Sequence, residues 1–249
     1  MDYRFVNCGE KHSTADTAPN YVVSVCAQHT HGPPGAKFLA GERMPCFLGL
    51  SPTTPFVNRG RLHAILRWLV PRSSSLLIVE GLWASRWNLV AIRGLTMQQA
   101  TDEVRRDIGR LRRRVDDIVS RPPRASVTFL DWQRELEGKQ YGEIQAAICR
   151  YAETQVDFQS VLRETTRGYV HKVHPGEANR LTAAQWDTLS LYVVEELAMF
   201  LHLYRLRYKI EVYPGSDLEI VEATCAGRFA NFPVPSLERS HVSLELTCP

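Results

Sequence analysis

Compact apolar runs rich in β-branched and aliphatic residues recur along this chain with helix-periodic segments between them, and that alternation leaves few folds open. The runs lie at 21–26 (YVVSVC), 46–50 (CFLGL), 75–80 (SLLIVE), 126–130 (SVTFL) and 208–213 (YKIEVY). Each has the length and composition of a buried strand. Between them Leu62, Ile65, Leu66 and Leu69 recur at helical spacing, and further helices are expected near 96–120, 140–165 and 185–205. Strand, helix, strand in repetition predicts an α/β fold, a mainly parallel sheet with helices on both faces, in which ligands sit beyond the carboxyl ends of the strands. Ser51, Glu80 and Tyr213 fall at or just past three such ends. The Gly-Pro punctuation of 27–45 reads as a loop, and the polar, aperiodic residues 1–19 read as a flexible tail ahead of a single domain spanning 20–249. At 249 residues, 44% of them hydrophobic, the chain is long enough for one sizeable core.

Thirty Lys and Arg against 27 Asp and Glu leave a net charge of only +3, so it is the distribution of charge that must point to any polyanionic partner. No stretch approaches the roughly 20 uninterrupted apolar residues of a bilayer span, and the N-terminus lacks the apolar core of a signal peptide. A soluble, cytoplasmic protein with no membrane partner is expected. The six cysteines show no CxxC pairing and read as reduced thiols.

The charge is concentrated in one helix. Within 98–119 the residues Val104, Ile108, Leu111, Val115 and Ile118 form a single apolar stripe, and the rest of the helix faces solvent. Arg105, Arg106, Arg110, Arg112, Arg113 and Arg114 stand there against Asp107 alone, so that segment carries +5. Asp102, Glu103, Asp116 and Asp117 leave room for an ordinary solvated face. An array of arginines and no lysine, however, suits a phosphate backbone, because guanidinium groups pair bidentately with phosphate.

In CFLGLSPTTPF an apolar strand runs into Gly49-Leu50-Ser51, with prolines at 52 and 55 beyond it. Gly49 lets backbone approach a ligand closely, and N–H groups of such a turn can stabilise an oxyanion, which is what a serine nucleophile needs. A helix N-cap serine with proline at the first helical position is the plain alternative. The GxSxG elbow of esterases is absent, since position 53 is Thr, and no histidine is marked as a base.

Around 189–200 helical geometry puts Tyr192 and Glu196 one turn apart on the same face as Leu189, Val193 and Phe200. A carboxyl group on an apolar face needs a cation, either a ligand's ammonium group or a structural partner such as Arg205 or Arg207. Glu195, about 100° round the helix, is expected to reach solvent.

Together these features resemble the tRNA-dependent cyclodipeptide synthases, over residues 45–220. The resemblance rests on Gly49-Leu50-Ser51, the strand SLLIVE, the arginine helix, Tyr192-x-x-x-Glu196 and Tyr213-Pro214. Thr54 and Pro214 stand where most described members have Asn and His, so the chain looks like the branch with Tyr-Pro. The resemblance implies a Rossmann-like domain similar to class Ic aminoacyl-tRNA synthetase catalytic domains, two aminoacyl-tRNAs as substrates, and a cyclic dipeptide formed by a ping-pong route through aminoacyl- and dipeptidyl-Ser51. Neither cofactor nor metal is implied, and a monomer is favoured. By the same resemblance Glu196 holds the first substrate's ammonium group, Tyr192 relays protons and Tyr213 orients Ser51. Gly49, Phe47, Thr54, Glu80 and Pro214 are expected around the substrate, and the six arginines against tRNA. A serine esterase or acyltransferase and a non-catalytic RNA-binding module remain the alternatives.

Overall fold

The computed structural model of the protein describes residues 21–50, 58–81, 83–119, 126–234 and 238–248, and the expected tail at 1–19 lies outside them. Among the described residues six strands, β1 (Val22–Val25), β2 (Met44–Leu50), β3 (Ser73–Glu80), β4 (Ser126–Phe129), β5 (Ile210–Tyr213) and β6 (Ser240–Thr247), form one sheet. Nine α-helices among the described residues accompany it: α1 (Pro33–Leu39), α2 (Arg59–Leu69), α3 (Arg86–Arg93), α4 (Met97–Val119), α5 (Trp132–Glu137), α6 (Lys139–Thr154), α7 (Val156–Val173), α8 (Ala183–Leu206) and α9 (Glu219–Cys225). None of them is long and apolar enough to cross a bilayer.

The strands lie in the order β1-β6-β5-β2-β3-β4, parallel throughout except for the antiparallel edge pair of β1 and β6. This is the mainly parallel α/β fold that the alternating pattern predicts. The chain winds outward from β2 through β3 to β4, then returns to set β5 on the other side of β2. That reversal opens a crevice at the carboxyl ends of β2 and β5, where ligands of such sheets bind.

Register decides which side chains reach the crevice. Phe47 pairs with Leu77 and Glu211, and Gly49 with Val79. Alternation therefore puts Phe47, Gly49, Val79, Glu211 and Tyr213 on one face, and Leu48, Ile78, Glu80 and Val212 on the other. The first face meets α8, where the Phe47 ring lies 5.6 Å from Phe200 and 5.9 Å from Tyr204. The second meets α4, whose Arg112 pairs with Glu80 and lies over the Phe129 ring at 5.4 Å. Helices thus cover both faces.

The helices form for local reasons and are held by packing. Asn58 caps α2 by accepting from the N–H groups of Gly60 and Arg61, and Leu62, Ile65, Leu66 and Leu69 are buried as their spacing predicts. Val104, Leu111 and Val115 form the buried stripe of α4. A capping box of Thr182 and Gln185 starts α8. From Tyr192 to Tyr204 α8 is buried all round, with α3, α6, α7 and the sheet packed against it.

Two expectations need correction, and one strand was unread in the sequence. The 27–45 segment contains α1, because prolines at a first helical turn mark a start as readily as a loop. The 140–165 stretch is two helices broken at Gln155, whose extended backbone ends α6 and begins α7. Residues past 230, which carry no clear sequence signal, supply β6, a strand inside the sheet between β5 and β1.

Candidate active site

The ends of β2, β3 and β5, the loop after β5, and the facing sides of α7 and α8 enclose a cavity of about 320 Å³. Tyr192 and Glu196 enter it from α8, Tyr213 and Glu211 from β5, and Tyr169 from α7. The Tyr169 and Tyr192 rings stack at 4.4 Å, and the Asn88 amide donates to the Tyr169 hydroxyl. Two glycines admit these groups. A Cβ on Gly81 would lie 3.1 Å from Glu196 Oε1, and one on Gly49 would lie 3.3 Å from the Tyr213 ring. A side chain at either position would press on these groups and oblige them to give by a few tenths of an ångström.

Glu196 is buried and forms no ion pair among the described residues; neither Arg205 nor Arg207 reaches it. Burial pushes its carboxyl up from 4.5 to about 8, against the hydrogen bond of Tyr192, with Glu211 and Glu195 adding repulsion. Burial likewise holds the Tyr192 hydroxyl well above its ordinary value, reinforced by Glu196. Burial thus favours the protonated acid next to a phenol, and a cationic ligand would favour its ionised form.

The neighbouring acid behaves differently. Glu195, expected in solvent, is 1% exposed and accepts two hydrogen bonds from the Arg86 guanidinium, at 2.6 and 2.5 Å, and one from Trp87 Nε1 at 3.0 Å. Its burial follows from packing on every side of α8. The nearly unbroken apolar sequence around it was the available signal.

The sequence-derived residues divide. Gly49, Tyr192, Glu196 and Tyr213 line the cavity together. Phe47 is fully buried beneath it, against Phe200 and Tyr204, and Pro214 is buried outside its lining. Glu80 is on the opposite face, one residue out of phase with Val79 and Gly81, and accepts from Arg112 at 2.9 and 3.1 Å. Ser51 and Thr54 lie outside the described residues. Of the arginines, Arg105, Arg106, Arg110, Arg113 and Arg114 are exposed, while Arg112 is half-buried in its bond to Glu80 and also donates to the Leu130 carbonyl. Arg105 stands 3.7 Å from Asp102 and Arg110 pairs with Asp107; Arg106 and Arg113 make no ion pair among the described residues.

A second polar group, unread in the sequence, sits at the β5 side of the cavity. Glu211, Asp217 and His241 bring ligand atoms within 4.8 Å of one another, a spacing that could hold a metal. The Arg239 guanidinium already pairs with Asp217 there, so the donor set has a resident cation. His31 stacks on His241 at 5.7 Å between centroids and lies 3.4 Å from Asp217. An acid within the short apolar strand IEVY was the one hint of this group.

A family model described as cyclodipeptide synthase matches residues 37–208. No curated protein matches the sequence. Solved structures share the fold at low identity. A cyclodipeptide synthase from Fluoribacter dumoffii superposes with a TM-score of 0.75 at 14% identity, covering 92% of this chain and 99% of that one. A Mycobacterium tuberculosis protein, described as showing that cyclodipeptide synthetases are related to type I tRNA synthetases, does so at 0.65 and 15%, covering 96% and 99%. The enzyme of Candidatus Glomeribacter gigasporarum bound to Phe-tRNAPhe gives 0.53 and 16%, covering 81% and 88%.

Proposed function

The chain belongs to the cyclodipeptide synthase family, and from that premise we propose that it joins two aminoacyl groups, each delivered on tRNA, into a cyclic dipeptide carried in transit on Ser51. The observation that supports this reading best is Glu196, a buried carboxyl group in a cavity large enough for an aminoacyl group and without a cation of its own among the described residues. A substrate α-ammonium supplies the cation. Burial has raised the proton affinity of Glu196, so the carboxylate that pairs with the ammonium group can also accept a proton from it and leave an amine able to attack.

Ser51 follows Leu50, which lines the cavity. In the proposed route its oxygen attacks the ester carbonyl of the first aminoacyl-tRNA, and the terminal ribose oxygen of that tRNA leaves with the serine proton. The amine of the Ser51-bound residue then attacks the ester carbonyl of the second aminoacyl-tRNA, forming a peptide bond and releasing the second tRNA. Finally the new terminal amine attacks the Ser51 ester, closing the ring and restoring the hydroxyl. Ester activation drives each step. Glu196 holds the first ammonium group, Tyr192 relays protons, and Tyr213 orients Ser51. Tyr213-Pro214 assigns the chain to the Tyr-Pro branch.

The exposed arginines of α4 are assigned to the phosphates of tRNA, and the relative described as bound to Phe-tRNAPhe supports charged tRNA as the substrate. Intact-mass analysis after incubation with aminoacyl-tRNA tests the reading. An aminoacyl adduct is expected on the wild type and none on Ser51→Ala, with diketopiperazine released by the wild type alone. Adduct on both proteins would remove Ser51 from the mechanism.

A further inference from the structure

Resting on the aminoacyl-tRNA reading above, we infer that Tyr169 and Asn88 are positioning residues for that reaction: the Asn88 amide fixes the Tyr169 hydroxyl, and Tyr169 in turn holds the Tyr192 phenol in its place beside Glu196. Three helices meet to build this arrangement, α3 with Asn88, α7 with Tyr169 and α8 with Tyr192. The two rings stack at 4.4 Å between centroids with 16° between their planes, so Tyr192 would press on Tyr169 if it tilted. Behind them Asn88 Nδ2 donates to the Tyr169 hydroxyl at 2.5 Å. Asn88 is 4% exposed and lies outside the cavity lining, whereas Tyr169, Tyr192 and Glu196 belong to it. Its path to the reacting groups therefore runs through Tyr169.

The unmet half of the Asn88 amide favours this role over one in packing alone. The bond to Tyr169 is the one hydrogen bond of its side chain among the described residues, and its Oδ1 is buried with no partner there. A buried carbonyl left unpaired costs stability, so a leucine of similar size would serve packing at least as well. The Tyr169 hydroxyl matters because Tyr192 has a single proton and two neighbours to share it with, the Tyr169 oxygen and the Glu196 carboxyl group. When Glu196 is ionised, the Tyr192 hydroxyl donates to the carboxylate. When Glu196 holds a proton, its own O–H can donate to Tyr192, and the Tyr192 hydroxyl turns to Tyr169. Tyr169 thus keeps the relay oxygen in place in both states of the acid, the two states between which a proton relay alternates.

The test follows diketopiperazine release by the full chain, giving kcat and KM for aminoacyl-tRNA, with aminoacyl adduct read by intact mass. Tyr169→Phe keeps the stacked ring and loses the hydroxyl; it is expected to lower kcat by about tenfold or more with KM changed by less than about twofold. Asn88→Leu should do the same while unfolding at no lower a urea concentration than the wild type. Because Asn88 acts through the Tyr169 hydroxyl and Tyr169 through Tyr192, adding Asn88→Leu to Tyr169→Phe, or Tyr169→Phe to Tyr192→Phe, should cost less than about twofold further. Independent effects on packing would multiply instead. An unchanged kcat in Tyr169→Phe, or losses that multiply in either double variant, overturns the inference and leaves the synthase reading standing. If Asn88→Leu does not fold, Tyr169→Phe alone and with Tyr192→Phe decides the matter. Neither adduct nor diketopiperazine from the wild type removes the synthase reading, and this inference with it.

Discussion

Replacing Glu196 with Gln removes a carboxyl group that burial keeps protonated up to about pH 8, against an ordinary value of 4.5. Gln keeps the volume and a carbonyl oxygen for the Tyr192 hydroxyl. Between those two values the folded chain holds a proton that the unfolded chain has released, so each rise in pH favours unfolding. At 1.36 kcal/mol per pH unit, this one group withdraws about 4–5 kcal/mol of stability from the wild type as pH climbs through that window, and it withdraws nothing further above it. The other titrating groups are common to both proteins and cancel in the difference. Glu196→Gln should therefore gain on the wild type by about 4 kcal/mol between about pH 5 and about pH 8.5, in urea unfolding followed by tryptophan fluorescence. The same variant should lose synthase activity. A stability difference that does not change with pH, or a variant less stable at the alkaline end, would mean that Glu196 is ionised beside a cation in the folded chain. The ammonium site would then be wrong.

Arg86→Met strands Glu195 in the interior with only Trp87 donating to it, and should cost about 3–5 kcal/mol in urea or thermal unfolding, with Arg86→Met/Glu195→Leu recovering much of the loss. Asp107→Asn, at an exposed pair on α4, should cost less than about 1 kcal/mol in the same assay. Gly81→Ala sets a methyl 3.1 Å from Glu196 Oε1 and should lower kcat/KM at least about tenfold with unfolding nearly unaltered; an unaffected kcat/KM would show that this approach is not needed. Neutralising Arg106 and Arg113, which make no ion pair among the described residues, should flatten the salt dependence of tRNA affinity by about one logarithmic slope unit each. Arg112→Leu should instead lower stability, because it leaves Glu80 buried without its guanidinium.

Much of this protein is written in short-range pattern. The buried stripe of α4, the run of leucines on α2 and the strand SLLIVE follow from the periods of helix and strand, which any window of ten residues displays. Tyr192 and Glu196 were legible as a pair for the same reason, since one helical turn holds them together whatever surrounds it. The α/β fold and the residues of the cavity's α8 wall are therefore properties of the sequence alone. Packing settled the rest. Glu80 went to the far face because a strand reverses its side chains at every residue, and only the register with β2 and α4 says which face is which. Glu195 is buried because α3 closes the side of α8 that a lone helix would have left wet. Glu211, Asp217, Arg239 and His241 form one charged group only because β6, a segment without a clear local signal, enters the sheet beside β5. Periodicity is local and survives in a string of letters, whereas burial and charge pairing depend on which distant segments meet, and that is decided when the whole chain closes around its sheet.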